Sequence, residues 1–367
     1  MKLLVFTLLI TLSSFSLAQP SFYTIRGDLN KITDEQIEKC LADSRCQLSI
    51  TITEETDLSR LYLVKDFETL KFLFQLKSVP TKFNEIQFKK LNYVEIDCNN
   101  SVKNLKNISG FKNVKFFRIS NFKGKNLPNT LREFDTIYNL TIENSKFLKN
   151  VNILNEIKIH HLSLIKCQSV NKLPNLENSS IGILWLFDLS KKFEIENLNS
   201  LLDLEVLYTY NVNFPSITGK LTNSLKNVTI SNNIELITLE NLSFCKNLDR
   251  IEIKSCPKFK SFDITLEQRE MDQIVLSENE NLENLTNVFK AKRIRNLKLR
   301  DLPSLNSIVL SDSQIDRLEI VNTGLIKIEN VERIEKINNL YIYENENLQI
   351  DGVDIKRNGW IIRQNSN

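Results

Sequence analysis

The sequence predicts a solenoid: an α/β or mainly β right-handed coil, with one curved parallel sheet along its concave side and irregular or short helical returns. Three observations carry this. First, the pattern apolar-x-x-apolar-x-apolar begins at Leu91, Val114, Ile137, Ile159, Ile181, Leu204, Leu225, Leu248, Met271, Ile294, Ile315 and Ile337, in steps of 21 to 23 residues. Fixed-period self-similarity of this kind marks stacked repeats. Second, the fourth and sixth positions of these twelve units are apolar everywhere except Thr209, although only 41% of the chain is hydrophobic. Alternate apolar residues are what a strand with one buried face requires. Third, eight glycines and seven prolines in 367 residues leave little material for hairpin turns, which disfavours an antiparallel sandwich. Length alone would suggest two or three domains, but the repeat makes one.

The elements follow in order. Residues 1–18, MKLLVFTLLITLSSFSLA, carry a lysine, an apolar run and a small-x-small ending, the pattern of a cleaved signal peptide. No later segment is apolar enough to span a bilayer, and the terminal IIRQNSN lacks the apolar tail of a lipid-anchor signal. A secreted, extracellular protein with no transmembrane anchor is expected. Residues 19–47 form an N-terminal helical cap: ITDEQIEKCLADSRC reads as a helix with Thr33 as N-cap and Gln36 completing a capping box. Cys40 and Cys46 straddle its end and form a disulfide in an oxidising compartment. The solenoid proper spans 48–348, about thirteen to fourteen units of 21–24 residues, with weaker units at QLSITIT near Ile50 and FETLKFLFQ from Phe67. Residues 349–367 are read as a C-terminal cap, with Trp360 covering the last core layer.

At the ninth place of each unit stand Asn99, Ser145, Cys167, Asn233, Cys256, Asn279, Thr323 and Asn345, small side chains able to satisfy backbone where the strand turns away. LKNVTISNNIEL, LDRIEIKSCPKF and INNLYIYENENL resemble the leucine-rich repeat and the related receptor L domains. Phe122, Leu189, Val212 and Leu302 at the ladder place mark an irregular member of that superfamily. The resemblance implies recognition of proteins, glycans or other ligands through the concave face or rim. Cys98, Cys167, Cys245 and Cys256 are read as unbridged core or ladder residues. Cys167 and Cys256 lie four units apart, about 19 Å at a strand spacing of ~4.8 Å, beyond disulfide reach.

Little in the chain points to catalysis. His160 and His161 are the only histidines, and as strand neighbours they are expected to face opposite sides. No HExxH, CxxC or nucleophile-elbow pattern accompanies them. Glu95 with Asp97 is a conceivable acid/base pair on a solvated face. A non-enzymatic protein without cofactor or metal is expected.

The third, fifth and seventh residues of each unit should face the concave surface, and most are polar. Three consecutive units differ, presenting His161 with Ile165, then Ile183, Trp185 and Phe187, then Val206, Tyr208 and Tyr210. Together these make a contiguous apolar and aromatic patch, the composition of a contact site for an extracellular protein or glycan. Tyr341 and Tyr343 form a smaller second candidate. Two other readings stay open: IGILWLFDL tolerates a one-residue slip that exchanges its faces, and a loop or a second copy of the chain, as a homodimer, would cover the patch.

Net charge is +3, but Lys71 to Lys125 holds twelve Lys or Arg against three acids. The alternative function is therefore a matrix or surface-coat protein binding a sulfated polyanion around Lys89, Lys90, Lys115 and Arg118. Nucleic acid is not expected as a partner. Sequons occur at Asn99, Asn107, Asn139, Asn178, Asn227, Asn241 and Asn284, about the number chance gives in so Asn-rich a chain. Glycans on Asn139 and Asn227 would bracket the aromatic patch.

Overall fold

The computed structural model describes residues 23–349 apart from 196–197, 218–220, 222 and 346, together with the backbone of 360–363. The expected signal peptide and most of the expected C-terminal cap lie outside the described residues. The strands are β1 (Tyr23–Asp28), β2 (Cys46–Ile52), β3 (Thr69–Phe74), β4 (Tyr93–Asp97), β5 (Phe116–Ser120), β6 (Ile137–Glu143), β7 (Ile159–Ile165), β8 (Ile183–Phe187) and β9 (Val206–Tyr210). They continue as β10 (Asn227–Ser231), β11 (Arg250–Lys254), β12 (Glu270–Ser277), β13 (Arg293–Leu302), β14 (Ser307–Val309), β15 (Gln314–Thr323), β16 (Lys327–Glu329), β17 (Ile337–Tyr343) and β18 (Trp360–Arg363). All except β14 and β16 form one 16-stranded sheet in chain order, and neighbours run parallel throughout. The returns are mostly single 3-10 turns on the other side of the core. Bulkier than the strands they connect, they put the sheet on the concave side.

The core is the repeat made solid. Leu140 and Ile142, Leu162 and Leu164, Leu184 and Leu186, and Val228 and Ile230 are all essentially inaccessible, as the fourth and sixth places require. Thr209, the one polar residue at such a place, is fully buried, and its hydroxyl lacks a partner among the described residues. Toward the N-terminus phenylalanines fill the same volume, Phe72 packing edge-on against Phe83 with ring centres 5.1 Å apart.

Two positions turn each strand out of the sheet. The eighth residue is left-handed in eleven consecutive units, from Asn121 (φ 57°) to Glu344 (φ 54°). Asn and Asp tolerate that conformation, while Lys166, Glu278 and Glu344 hold it against a cost of about 1 kcal/mol. The ninth residue then enters the core and satisfies the preceding coil. Asn279 accepts from the Cys256 amide and donates to the Ile253 carbonyl, both at 2.9 Å. Asn233 accepts from the Phe214 amide and donates to the Phe214 carbonyl. The Ser145 hydroxyl accepts from the Phe122 amide. In the Leu91 unit the turn comes one residue early. Cys98 takes the buried place, and Asn99, expected there, is exposed with φ 44°.

Both ends differ from the expected caps. The helix α1 (Asp34–Ala42) has the Thr33–Gln36 capping box, but it is the return of a first coil, because β1 precedes it and pairs with β2. The alternation in YTIRGD is faint because β1 is an end strand with little to bury. At the other end β18 continues the sheet in parallel, with Trp360 opposite Leu340, where a fold-back cap was expected. Cys40 and Cys46 are bonded, and Cys98, Cys167, Cys245 and Cys256 are free and buried.

A native-state thiol reagent should therefore label no cysteine among these six, and four should react after denaturation. Cys40→Ser with Cys46→Ser should cost about 2 kcal/mol in denaturant unfolding, the loop-closure value for so short a loop. Asn279→Leu should cost about 2–4 kcal/mol, since it strands a buried amide and a buried carbonyl. Thr209→Val should instead stabilise by about 1 kcal/mol, because it removes a buried hydroxyl with nothing to bond.

Candidate functional site

The register decides which residues of IGILWLFDL face outward. Leu184 pairs with Leu162 and Leu207, all buried, so Ile183, Trp185 and Phe187 occupy the concave face. Three rows then run across β7, β8 and β9: His161, Ile183 and Val206; Ser163, Trp185 and Tyr208; Ile165, Phe187 and Tyr210. Apart from the buried Ser163, each is half-buried and keeps part of its surface open. The flanking strands supply a polar rim next to these rows, Asn139, Thr141 and the Arg118-paired Glu143 on one side and Asn227, Thr229 and Ser231 on the other.

The rings pack against one another before anything binds. Phe187 and Tyr208 stack at 5.1 Å and 15°, which covers their faces and presents their edges. Trp185 lies at 6.2 Å from both Phe187 and Tyr208, tilted by 68° and 53°. His161 meets Trp185 edge-on at 4.6 Å. Rings held this way lose little entropy on binding.

His161 is locked beneath the rim. The Asn139 amide lies 3.1 Å from its Nδ1, and the Ser163 hydroxyl 3.1 Å from its Nε2. The amide nitrogen can only donate, so Nδ1 accepts and Nε2–H points to Ser163. Burial holds the imidazole neutral, lowering its pKa to about 4. The two histidines do not part company as strand neighbours were expected to. His160 sits at the mouth of β7, where the second place of the unit is exposed, and both line one cavity of ≈ 440 Å³ with Tyr138, Ile183, Asp203 and Glu205. Tyr138, 55% exposed and 5.5 Å from the His160 ring, was invisible to a reading restricted to the third, fifth and seventh places.

The other candidates are placed differently. Tyr341 lies under the Arg317 guanidinium at 4.5 Å, and both Arg317 and Arg300 bond the buried carboxylate of Glu319. Tyr341 thus belongs to a charged cluster, and Tyr343 stands opposite Val321 in the next row. Glu95 takes Lys71 at 2.7 Å, and Asp97 accepts from Asn99 and Asn121, so neither is a poised acid/base partner. Burial, then the charge on Glu95, raises Tyr93 to about 12.

The four residues expected to bind a polyanion do not converge. Lys89, Lys90 and Lys115 are exposed near the entrances to β4 and β5, whereas Arg118 lies within the sheet, paired with Glu143. Among the sequons, Asn99, Asn178 and Asn284 are exposed and Asn139, Asn227 and Asn241 half-buried. Asn107 is corrected: it is buried, and its amide nitrogen donates to the Val79 carbonyl at 2.7 Å, leaving no acceptor for a glycan.

This architecture of short parallel strands, 3-10 returns and a polar ladder at the ninth place is the one the repeat implied. The fold is a leucine-rich-repeat solenoid. Solved structures of that kind are similar to the chain. The TLR13–ssRNA13 complex matches at 12% identity and TM-score 0.46, covering 91% of this chain and 55% of that one. A Leptospira interrogans leucine-rich-repeat protein matches at 15% and 0.36, covering 83% and 82%. An internalin of Listeria monocytogenes matches at 13% and 0.38, covering 84% and 90%. The chain thus spans about half the length of the first of these. No family model and no curated protein matches the sequence.

His161 gives this surface a testable pH dependence. Between the unfolded value near 6.5 and the folded value of about 4, only the unfolded chain takes up this proton. Its stabilising share is therefore complete above pH ~6.5 and lost as pH falls toward 4, by up to about 3 kcal/mol. Urea unfolding across that window should be flatter for His161→Gln than for wild type.

Proposed function

We propose that this is a secreted, non-enzymatic recognition protein that holds an extracellular protein through the patch of Trp185, Phe187, Tyr208 and Tyr210. The observation carrying this reading is a preformed cluster of half-exposed aromatic rings on a concave sheet, inside a polar rim whose one charge, Glu143, is paired with Arg118. Buried anchors inside a polar rim are the arrangement that dominates binding energy at protein interfaces. A protein suits the patch better than a glycan does. Sugars stack on open ring faces, and here the faces of Phe187 and Tyr208 are turned against each other. Ile183 and Val206 extend the apolar area beyond the rings, and His161, held neutral, adds no charge at its edge.

Secretion follows from the sequence of residues 1–18, and no described helix is long and apolar enough to cross a membrane. Glycans on Asn139 and Asn227 would frame the patch without covering it. The Asn139 amide is already engaged by His161, so modification there competes with the lock on the imidazole.

The test is capture from extracellular fluid with wild type and the Trp185→Ala/Tyr208→Ala double variant. Both side chains are only half-buried, so the variant should melt within a few degrees of wild type. Its affinity for the captured protein should fall at least tenfold, the scale of a lost hot spot. Equal capture by both proteins would end this reading. A concentration-dependent dimer of wild type that the double variant abolishes would assign the patch to a second copy of the chain.

A further inference from the structure

On the side of the core opposite the sheet, the returns that follow β4, β5 and β6 enclose a cavity of ≈ 580 Å³, a size suited to a small ligand. Its wall carries four cations, Lys103, Lys106, Lys125 and Arg132, against one carboxylate, Glu156. Arg132 already holds Glu156 through two nitrogens, at 2.7 Å from Nη2 to Oε1 and 2.5 Å from Nε to Oε2. Among the described residues the three lysines make no ion pair. Stacking brings them together. The Lys149 amide reaches the Lys125 carbonyl, the Lys123 amide the Val102 carbonyl, and Asn126 bridges Asn150 in parallel, so the returns lie on one another like the strands. Coils stack about 5 Å apart, and an anion between ammonium groups on neighbouring returns would relieve the repulsion of like charges.

The neutral groups of the wall are also donors in search of acceptors. Asn104 and Asn150 spend their side-chain oxygens on the amides of Lys106 and Asn152, which leaves their NH2 groups for something else. Thr130 lines the same cavity, but its hydroxyl is closed to solvent. Ammonium and amide donors together match a ligand rich in acceptor oxygens that bears several negative charges. No aromatic ring lines the cavity, so it offers nothing for a nucleic-acid base to stack on.

We propose that this cavity binds a sulfated saccharide: Lys103, Lys106 and Lys125 take sulfate groups, and the asparagine amides take ring hydroxyls. The site is separate from the aromatic patch and from Lys89, Lys90 and Arg118. It uses lysines from the same basic stretch that happen to face one way.

Titration calorimetry of the full secreted chain with a heparin-derived hexasaccharide tests this. Lys103→Gln/Lys125→Gln removes two exposed charges from the site, and Lys89→Gln/Lys90→Gln removes the same charge elsewhere as a control. The site variant should lose at least tenfold in affinity, and its dependence on log salt should flatten by about two contacts. The control should stay within threefold of wild type. Fully desulfated hexasaccharide should not bind saturably. The Trp185→Ala/Tyr208→Ala protein should bind the hexasaccharide like wild type, which separates this site from the protein-binding patch. Equal losses in the two lysine variants would show diffuse attraction and overturn the proposal. So would tighter binding of a single-stranded RNA of equal charge, or displacement of the hexasaccharide by equimolar inorganic sulfate.

Discussion

Everything on the outer surface depends on the parallel register from coil to coil. A strand's side chains alternate between core and solvent, so a slip of one residue exchanges its two faces. Register is held on both sides of each turn. Before it, the fourth and sixth residues fill a core in which Thr209 is the one polar occupant of those places across the twelve units. After it, the ninth residue reaches back to bond the preceding coil, as Asn279 does with Cys256 and Ile253. Where that residue is apolar, as at Leu189 and Val212, buried side chains fill the place instead. Between β7, β8 and β9 the register is therefore held by packing rather than by an asparagine, although Asn233 bonds the β9 coil from the next one. Thr209, buried between Tyr208 and Tyr210 with an unbonded hydroxyl, is the weak point of that arrangement.

The two surfaces of the solenoid follow different chemistry because they obey different constraints. On the sheet, side chains stand in rows about 4.8 Å apart, and similar residues on successive strands fuse into one surface. Aromatic rings can then pack as they do from His161 through Trp185 to Tyr208. The returns follow no such alternation. There the backbone turns, lysines and asparagines extend outward, and cavities form between coils. At the three coils of the aromatic patch the sheet thus presents an apolar surface, while the returns present lysine and asparagine side chains.

How legible this was in the sequence depends on how strictly a position repeats. The fourth and sixth places carried the strands and the sheet order, because core packing permits little else, but they left two registers open for IGILWLFDL, which the pairing of Leu184 with Leu162 and Leu207 decides. The eighth place went unread: its left-handed turn admits Asn, Asp, Ser, Lys and Glu, and no residue type announces it. β1 was hidden because an end strand has almost nothing to bury. Tyr138 and His160 were missed because the second place becomes exposed only at the strand mouth, which the strand alternation does not anticipate. The lysines of the basic stretch could be counted but not aimed. Lys89 and Lys125 look alike in sequence, and only the path of the returns separates them.

Trp185 is the residue on which the account stands or falls, and its accessibility in solution is the most direct measure. With Trp360 changed to Phe, Trp185 is the only tryptophan, and acrylamide quenching reports on it alone. An outward, half-buried Trp185 should be quenched readily in the free protein and protected when partner saturates the patch. A Trp185 that resists quenching in the free monomer would mean that Leu184 and Leu186 have taken the outer face, and the surface described here would not exist.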